Sequence, residues 1–137
     1  MKILAVDYGA SRTGLAVCDP TEFLTTPITP QITLKARPKV AAEVCRIAQE
    51  QKAELIVVGL PLNMDGTEGP RAEKSRAVAQ RLTEATGLEV VLWDERRSSI
   101  EAHGILHANG RKEKKHRQTV DAVAASLILE GYLGTLH

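Results

Sequence analysis

The chain has 137 residues, of which 43% are hydrophobic and 26% charged, so the sequence predicts one folded domain over residues 1–137 rather than a disordered chain. No apolar run approaches the roughly 20 residues that a membrane-spanning helix needs, and the N-terminus begins directly with a predicted strand instead of a signal-peptide pattern. The formal net charge of +1 excludes a strongly basic global field, so any nucleic-acid binding has to come from a local patch. Cys18 and Cys45 form no close-spaced metal-ligand motif. We interpret them as reduced thiols of a cytoplasmic protein, and the sequence leaves their role open.

The first predicted strand ends on an acid. Ile3–Val6 is an unbroken apolar run, which is typical of a strand buried on both faces, and Asp7 follows it. Gly9 and Gly14 are predicted to bracket a short polar turn, after which Leu15–Val17 begins a second strand. A carboxylate beside a buried strand costs several kcal/mol unless something pairs with it. Asp7 therefore either caps its own turn or belongs to a functional site.

The middle of the chain alternates predicted strands and helices. The segment 22–34 is rich in Thr and Pro, and it is predicted to form an edge-like third strand because Pro27 and Pro30 would interrupt a central ladder. The next elements are a helix from Pro38 to about Lys52, a buried strand Leu55–Val58 stopped by Gly59, a loop from Leu60 to Gly69, and a helix opened by Pro70 and ended by Gly87. Buried strands joined by helices are typical of crossover connections in a sheet.

The C-terminal part is predicted to contain one more strand and two helices. Val90–Trp93 forms the last strand, and the charged run Asp94–Arg97 lies at its end. The elements that follow are a helix capped by Ser98 and Glu101 that runs through Asn109 to a stop at Gly110, a basic loop Arg111–Arg117, and a helix capped by Thr119 that runs to Glu130 and ends at Gly131. The complete order predicts an α/β three-layer fold, in which helices flank a mixed five-stranded sheet.

Three acids lie where an unpaired charge would be costly. Asp7 ends the first buried strand, Glu95 ends the last, and Asp121 lies in the first turn of a helix that is otherwise almost wholly apolar. Ligands gather at the C-terminal ends of strands in α/β sheets, so Asp7 and Glu95 converge if the first and last strands are neighbours. Divalent cations relieve the repulsion of clustered carboxylates, and two such ions about 4 Å apart can activate water for phosphodiester cleavage. The alternatives are that Asp121 only favours the helix N-terminus, and that Asp94 and Glu95 pair with the arginines beside them.

Four segments carry a resemblance to a known family. They are Val6–Gly14, Val58–Gly66, Asp94–Arg96 and Asp121–Ala125. In this order they resemble the YqgF/RuvX family of the RNase H-like superfamily. The resemblance implies an RNase H-like fold and a nuclease that matures the 5′ end of precursor 16S ribosomal RNA, with Mg²⁺ or Mn²⁺ as cofactor in two ions. It also implies that Asp7, Glu95 and Asp121 are the catalytic and metal-ligating residues. The related Holliday-junction resolvases have a further acid one helical turn before the last one, where this chain has Gln118, so the implied ligand set is thinner. Asp94 is expected to point away from Glu95, because adjacent strand residues face opposite sides.

The candidates for substrate binding are basic or amide side chains near these acids. Asn63 would orient a phosphate or a metal-bound water, unless it and the Asp65–Gly66 pair only satisfy turns. The predicted basic loop either grips phosphates beside the metals or is a solvated surface. The basic candidates, including two arginines assigned to the same surface, are Arg111, Lys112, Lys114, Lys115, Arg117, Arg12 and Arg96. Aromatic residues make up only 3%, which disfavours single-strand stacking platforms and favours backbone and shape recognition of a folded or double-stranded nucleic acid.

Several functions compete at this stage. The first is a phosphodiesterase acting on ribosomal precursor RNA, with ribosomal particles as candidate partners. The second is a junction resolvase acting on branched DNA, which would need a dimer that the sequence does not show. The third is a non-catalytic nucleic-acid-binding or transcription-assisting module, against which the intact acid set argues. A sugar-kinase or actin-like ATPase shares the Asp-x-Gly pattern but needs two such domains, and there is no P-loop. The resemblance favours RNA over DNA, no membrane partner is expected, and the oligomeric state stays open between a monomer and a weak dimer.

Overall fold

The computed structural model describes residues 1–9, 12–21, 25–32, 37–94 and 113–136, including all of their side chains except those of 29–32, 37 and 113–123. These residues form five strands and three helices. They are β1 (Ile3–Tyr8), β2 (Thr13–Cys18), β3 (Thr25–Ile32), α1 (Arg37–Gln51), β4 (Leu55–Leu60), α2 (Pro70–Thr86), β5 (Glu89–Asp94) and α3 (Glu113–Leu136). Within this part of the chain, no helix has the length and apolar character needed to cross a membrane.

The five strands form one mixed sheet in the order β3-β2-β1-β4-β5. The β1–β2 and β2–β3 pairs are antiparallel, whereas β1–β4 and β4–β5 are parallel. β3 lies at an edge, as its prolines predict, because proline has no N–H to donate to a central ladder. Asp7 and Glu95 were expected to converge if the first and last strands are neighbours. β1 and β5 are not adjacent in the sheet, so that condition is not met. β4 lies between them, and all six of its residues are buried. The three parallel strands still end at the same edge of the sheet.

The two faces of the sheet carry separate cores. Alternate residues of a strand point in opposite directions, so Leu4 and Val6 of β1 pack with α1 and α2, whereas Ile3 and Ala5 pack with α3. We call the second side the α3 face. Its core consists of Ile3, Ala5, Ala16, Cys18, Leu55, Val57, Ala125, Ile128, Leu129 and Leu133. Helices therefore cover both sides of the sheet, and the predicted three-layer α/β fold is confirmed.

All five strands differ from their predicted bounds by one or more residues, and in β2 and β4 a glycine lies inside the strand instead of outside it. β2 begins at Thr13, so Gly14 does not bracket the turn but pairs with Asp7 across the β1–β2 ladder. β4 does not stop at Gly59 but continues to Leu60, where it still pairs with β5. β5 continues to pair with β4 through Gly59 and Leu60, and this pairing outweighs the weak strand preference of glycine. Gly14 and Gly59 are therefore positions in the sheet that carry no side chain.

The first two helices agree with their sequence signals. Pro38 lies in the first turn of α1, and Pro70 is the first residue of α2, where a missing N–H costs nothing. α1 ends one residue before the predicted Lys52, which adopts a φ of 57°. Gly87 ends α2 in the left-handed conformation, with a φ of 70° and its N–H donated to the Thr83 carbonyl. Both helices thus begin and end close to where their prolines and glycines predict.

The last helix is longer than predicted at both ends. α3 begins at Glu113 rather than at Thr119, so the part of the predicted basic loop from residue 113 onward is helical. The segment 111–119 has no glycine or proline and is rich in Lys, Arg, Glu and Gln, which favour helix. α3 also passes through Gly131, where a Cβ atom would lie 2.9 Å from Cζ2 of Trp93. That glycine serves close packing against β5 and does not end the helix. The predicted helix over residues 98–109, with Gly110, Arg111 and Lys112, lies outside the described residues.

Candidate functional site

Asp7 lies near the C-terminal end of β1 and is half-buried. The alternation of the strand puts it on the α3 face, on the same side as Ile3 and Ala5. Its partner on β2 is Gly14, and continuing the β1–β4 register by one residue beyond Val6 and Val58 sets Gly59 beside it on β4. The carboxylate is therefore flanked on both neighbouring strands by positions without side chains. Glycine inside a strand is typical of a place where a ligand or another backbone approaches closely.

The turn after β1 keeps Arg12 close to this strand end. The Gly9 N–H donates a 2.9 Å hydrogen bond to the Arg12 carbonyl, and a Cβ atom on Gly9 would lie only 2.5 Å from that oxygen. The two backbone segments approach so closely that only glycine fits at position 9. The half-buried Arg12 directly precedes Thr13, which pairs with Tyr8 in the ladder. The structure thus places Arg12 beside the end of β1, and its contact with a substrate stays a prediction.

The end of β5 separates the two neighbouring acids of the sequence. Asp94 is the last residue of β5 and lies in register with Leu60. Val90 and Leu92 pack on the α1/α2 side and Val91 and Trp93 on the α3 face, so the alternation puts Asp94 on the side opposite to Asp7. The expectation that Asp94 does not join the acid cluster agrees with this placement. Glu95 and Arg96 lie outside the described residues.

Asp121 belongs to α3, the helix that covers the side of the sheet bearing Asp7. Its backbone lies one turn before Ala125 and in line with Ile128, and both of these residues are buried against β1, β2 and β4. The helix is therefore in a position to add a carboxylate above the α3 face. Among the described residues no three His, Cys, Asp or Glu side chains lie close enough to hold a metal, and Asp7 is the one predicted ligand whose side chain is described. The three-acid cluster stays a prediction.

The loop of residues 61–69 is a braced turn, which supports the structural interpretation of Asn63. The Asn63 N–H donates to the Thr67 carbonyl at 2.8 Å, and the Gly66 N–H donates to the Asn63 carbonyl at 2.8 Å. The Asn63 amide also donates to the Thr67 hydroxyl at 2.9 Å, while the Thr67 N–H donates to the Asp65 carboxylate at 3.0 Å. Gly66 has a φ of 89°, which favours glycine. Asn63 thus shapes the loop, and its predicted contact with a phosphate or a water stays untested.

An ion pair ties this loop to α2. Arg76 donates to both carboxylate oxygens of Glu68, with distances of 2.5 and 2.8 Å. The Arg76 hydrogen bonds hold the pKa of the Glu68 carboxyl below its ordinary value. Both side chains are exposed, so the pair adds little free energy, but it joins the end of the loop nearest α2 to that helix.

The predicted phosphate-binding residues are only partly located. Lys114, Lys115 and Arg117 lie in the first turns of α3, where their side chains are not described, and Arg111 and Lys112 precede it outside the described residues. Gly14 and Gly59 were predicted to bracket a turn and to stop a strand, and their places on either side of Asp7 were not predicted. The sequence signal that could have identified both positions is a glycine inside an otherwise apolar strand pattern.

Comparison with known proteins identifies relatives over almost the entire chain. The family model RuvX, described as Holliday junction resolvase, matches residues 1–135. A protein of Anaeromyxobacter dehalogenans strain 2CP-1, named "Putative pre-16S rRNA nuclease", is 44% identical over 133 residues, which cover 97% of this chain and 96% of that protein. A protein of Syntrophus aciditrophicus with the same name is 40% identical over 99% of this chain and 90% of its own length. Among solved structures, Thermus thermophilus RuvC in complex with a Holliday junction matches with a TM-score of 0.63 and 14% identity, covering 98% of this chain and 97% of RuvC, which supports a shared fold.

Proposed function

This chain belongs to the RuvX family, and on that basis we propose that it is a metal-dependent nuclease whose acids Asp7, Glu95 and Asp121 hold the metal and carry catalysis. The placement of Asp7 is the observation that carries the proposal. Its carboxylate lies at the C-terminal edge of a parallel strand pair, between two side-chain-free positions and on the face that α3 covers. A half-buried carboxylate with a glycine beside it on each neighbouring strand suits a site that must admit both a cation and a phosphate.

The donor set fits hard divalent cations. Carboxylate oxygens are the ligands that Mg²⁺ and Mn²⁺ favour, and carboxylates from three elements would repel one another without a cation. Trp93 faces the α3 side, and the same alternation leads us to expect Glu95, two residues later, on that side as well. Two such ions, when bound, would supply a lowered water pKa and stabilise the leaving oxygen. The β1–β2 ladder fixes the backbone of Asp7, so the face of the sheet on which its carboxylate lies is set before the substrate arrives.

We infer that the substrate is precursor 16S ribosomal RNA, cleaved to form its 5′ end. The names of the relatives in Anaeromyxobacter and Syntrophus support this substrate, since those proteins share two fifths or more of their residues with this chain. Arg12, Asn63 and Arg96 are proposed to contact the substrate near the acids. The basic run before Asp121, with Arg111, Lys112, Lys114, Lys115 and Arg117, is proposed to contact its phosphates. A cytoplasmic location and ribosomal particles as partners follow from this substrate.

Branched DNA is the second candidate substrate, and the description of the family model as Holliday junction resolvase favours it. A resolvase has to cut two strands symmetrically, which requires two copies of the site. The two candidates therefore differ in oligomeric state on the substrate as well as in the nucleic acid that is cleaved.

A cleavage assay decides between these substrates and tests the acids together. Wild-type protein is incubated with precursor ribosomal RNA and with four-way DNA junctions, in Mg²⁺ and in Mn²⁺. Asp7→Asn, Glu95→Gln and Asp121→Asn should each abolish cleavage, whereas Glu84→Gln, which removes an exposed carboxylate from α2, should leave it unchanged. Full metal-dependent activity in Asp7→Asn would refute the assignment of the site.

Thermal unfolding gives a second readout of the metal site that does not depend on the substrate. Wild type should gain stability with divalent metal by mass action, about 2.7 kcal/mol at a free concentration one hundred times the Kd. Asp7→Asn should gain less. Without metal, removing one charge from an acid cluster relieves repulsion, so the melting temperature of Asp7→Asn should hold or rise slightly. Equal metal stabilisation of both proteins would show that Asp7 is not a ligand.

A further inference from the structure

The loop of residues 61–69 leaves the sheet between the two strand ends that matter to the proposed site. β4 lies between β1, which carries Asp7, and β5, which ends just before Glu95. The three strands are parallel to one another, so the loop begins at the same edge of the sheet as the acids. A nucleic-acid strand whose phosphate reaches Asp7 therefore meets the edge of the sheet at which this loop begins.

The loop is shaped before any substrate binds. The hydrogen bonds among Asn63, Asp65 and Thr67 close the turn, an antiparallel bridge joins Leu62 to Glu68, and the Glu68–Arg76 pair anchors its far end. The side chains that hydrogen-bond in the turn are therefore occupied in holding its shape. A preformed turn loses little conformational entropy when its tip contacts a ligand.

The tip of this turn presents an apolar side chain to solvent. Met64 is 85% exposed, and the other exposed large hydrophobic residues in the described part of the chain, Met1 and Leu136, lie at or next to its ends. Methionine is among the apolar residues that proteins insert between base steps of nucleic acids. The chain has few aromatic residues to stack on bases, so an unbranched, polarizable thioether is the available substitute.

Two exposed cations follow the loop in the first two turns of α2. Arg71 and Lys74 are three residues apart and share one side of the helix. Neither forms an ion pair with a described side chain, in contrast to Arg76, which is held by Glu68. Both are thus available to contact phosphates.

We propose that this loop binds the substrate at an interruption in a nucleic-acid helix, with Met64 inserted between bases and Arg71 and Lys74 on the flanking phosphates. The inference rests on the proposed function and adds the structural feature of the substrate that is recognised. It assigns base contact to Met64, whereas Asn63 shapes the turn that presents it.

The test compares binding to a fully paired duplex with binding to the same duplex carrying a bulge beside a 2-aminopurine, in Ca²⁺ instead of Mg²⁺ and in RNA and DNA versions. Met64→Ala should reduce the preference for the bulged duplex about fivefold, which corresponds to ~1 kcal/mol, and leave affinity for the paired duplex unchanged. Wild type should raise 2-aminopurine fluorescence, and Met64→Ala should not. Met64→Leu, which keeps an apolar tip, should restore most of both effects.

The phosphate contacts are tested by their salt dependence. Arg71→Ala/Lys74→Ala should weaken binding to both duplexes alike and lower the slope of log affinity against log salt by up to about two. The matched control is Lys52→Asn/Arg81→Ala, which also removes two positive charges. Lys52 lies between α1 and β4, and Arg81 lies in the C-terminal half of α2. Asparagine is used at position 52 because it tolerates the left-handed backbone found there.

The outcomes separate this inference from the proposed function. If wild type cleaves nucleic acid but Met64→Ala keeps the same preference and the same fluorescence change, the loop is not a substrate-binding element and the nuclease function stands. Equal salt slopes for the two double variants would likewise remove Arg71 and Lys74 from the interface. If wild type neither binds nor cleaves any of these substrates, the proposed function fails, and this inference fails with it.

Discussion

The contact between α3 and β5 gives the sharpest prediction about the fold, because two glycines of one helix provide a matched pair. A Cβ atom at Gly131 would lie 2.9, 3.2 and 3.3 Å from three atoms of the Trp93 indole, whereas at Gly134 it would meet nothing within 4 Å. Ordinary carbon–carbon contacts begin near 3.4 Å, so either α3 or Trp93 has to move if Gly131 becomes alanine. Both substitutions gain helix propensity, worth about 0.5–1 kcal/mol in a helix interior.

The magnitude follows from the difference between the two variants. Gly134→Ala should raise the free energy of unfolding by about 0.5 kcal/mol, since the position is exposed and near the end of α3. Gly131→Ala has the same gain but adds overpacking, which typically costs 1–3 kcal/mol, so it should be less stable than Gly134→Ala by about that amount. In a chain of this size that difference corresponds to roughly 3–10 °C in melting temperature.

Thermal and urea unfolding measure the stabilities, and fluorescence locates the change. Trp93 is the only tryptophan in the sequence, and its ring meets Tyr132 edge-on at a centroid distance of 6.4 Å. The emission spectrum should therefore shift in Gly131→Ala and stay unchanged in Gly134→Ala. If Gly131→Ala proved as stable as Gly134→Ala with an unaltered spectrum, α3 would not be docked on Trp93 as described.

Three further predictions concern the predicted site and the thiols. Asp94→Asn should cost far less nuclease activity than Glu95→Gln, since Asp94 faces away from Asp7's side of the sheet; the reverse ranking in a cleavage assay would mean that the register at the end of β5 is off by one. Lys114→Ala/Lys115→Ala should weaken duplex binding and lower its salt slope by up to about two while leaving metal affinity unchanged, and an unchanged slope would make this segment an ordinary solvated surface. Burial raises the pKa of the Cys45 thiol, so the neutral form is favoured in the folded protein and alkylation of Cys45 should be slow at neutral pH and accelerate with rising pH. Rapid labelling at pH 7, followed by mass spectrometry, would contradict that environment.

Local patterns predicted most of the fold because each element carries its own signal. The apolar run Ile3–Val6, the prolines that begin α1 and α2, and the glycine that caps α2 act within a few residues of themselves. The errors occurred where a distant partner decides. Gly59 resembles a strand end, yet β4 passes through it because β5 pairs with Gly59 and with Leu60. Gly131 resembles a helix stop, yet it is the point where α3 approaches Trp93.

The sequence predicts the residue types of the candidate site, but it does not predict how the strands that carry them are arranged. A carboxylate after a buried strand is visible in the sequence, and so the side of the sheet that Asp7 occupies follows from simple alternation. The insertion of β4 between β1 and β5 depends on sheet order, which hydrophobic patterns do not specify. The same holds for Gly14 and Gly59, whose significance appears only when the register places them on either side of Asp7.

The proposed site combines Asp7 of β1, Glu95 from the segment that follows β5, and Asp121 of α3, so its activity depends on how α3 packs on the sheet. Ile128 and Leu129 are fully buried on the α3 face, and the burial of each side chain stabilises the fold by about 2 kcal/mol. Together with the Gly131–Trp93 contact, they set how closely α3 approaches the sheet. The distances from Asp121 to Asp7 and Glu95 depend on the same contacts. Removing an acid should therefore abolish cleavage without loss of stability, whereas Gly131→Ala should weaken metal binding and lower stability together. If the packing of α3 on the sheet assembles the acid cluster, these two kinds of variant must differ in stability: the acid variants keep it, and Gly131→Ala loses it.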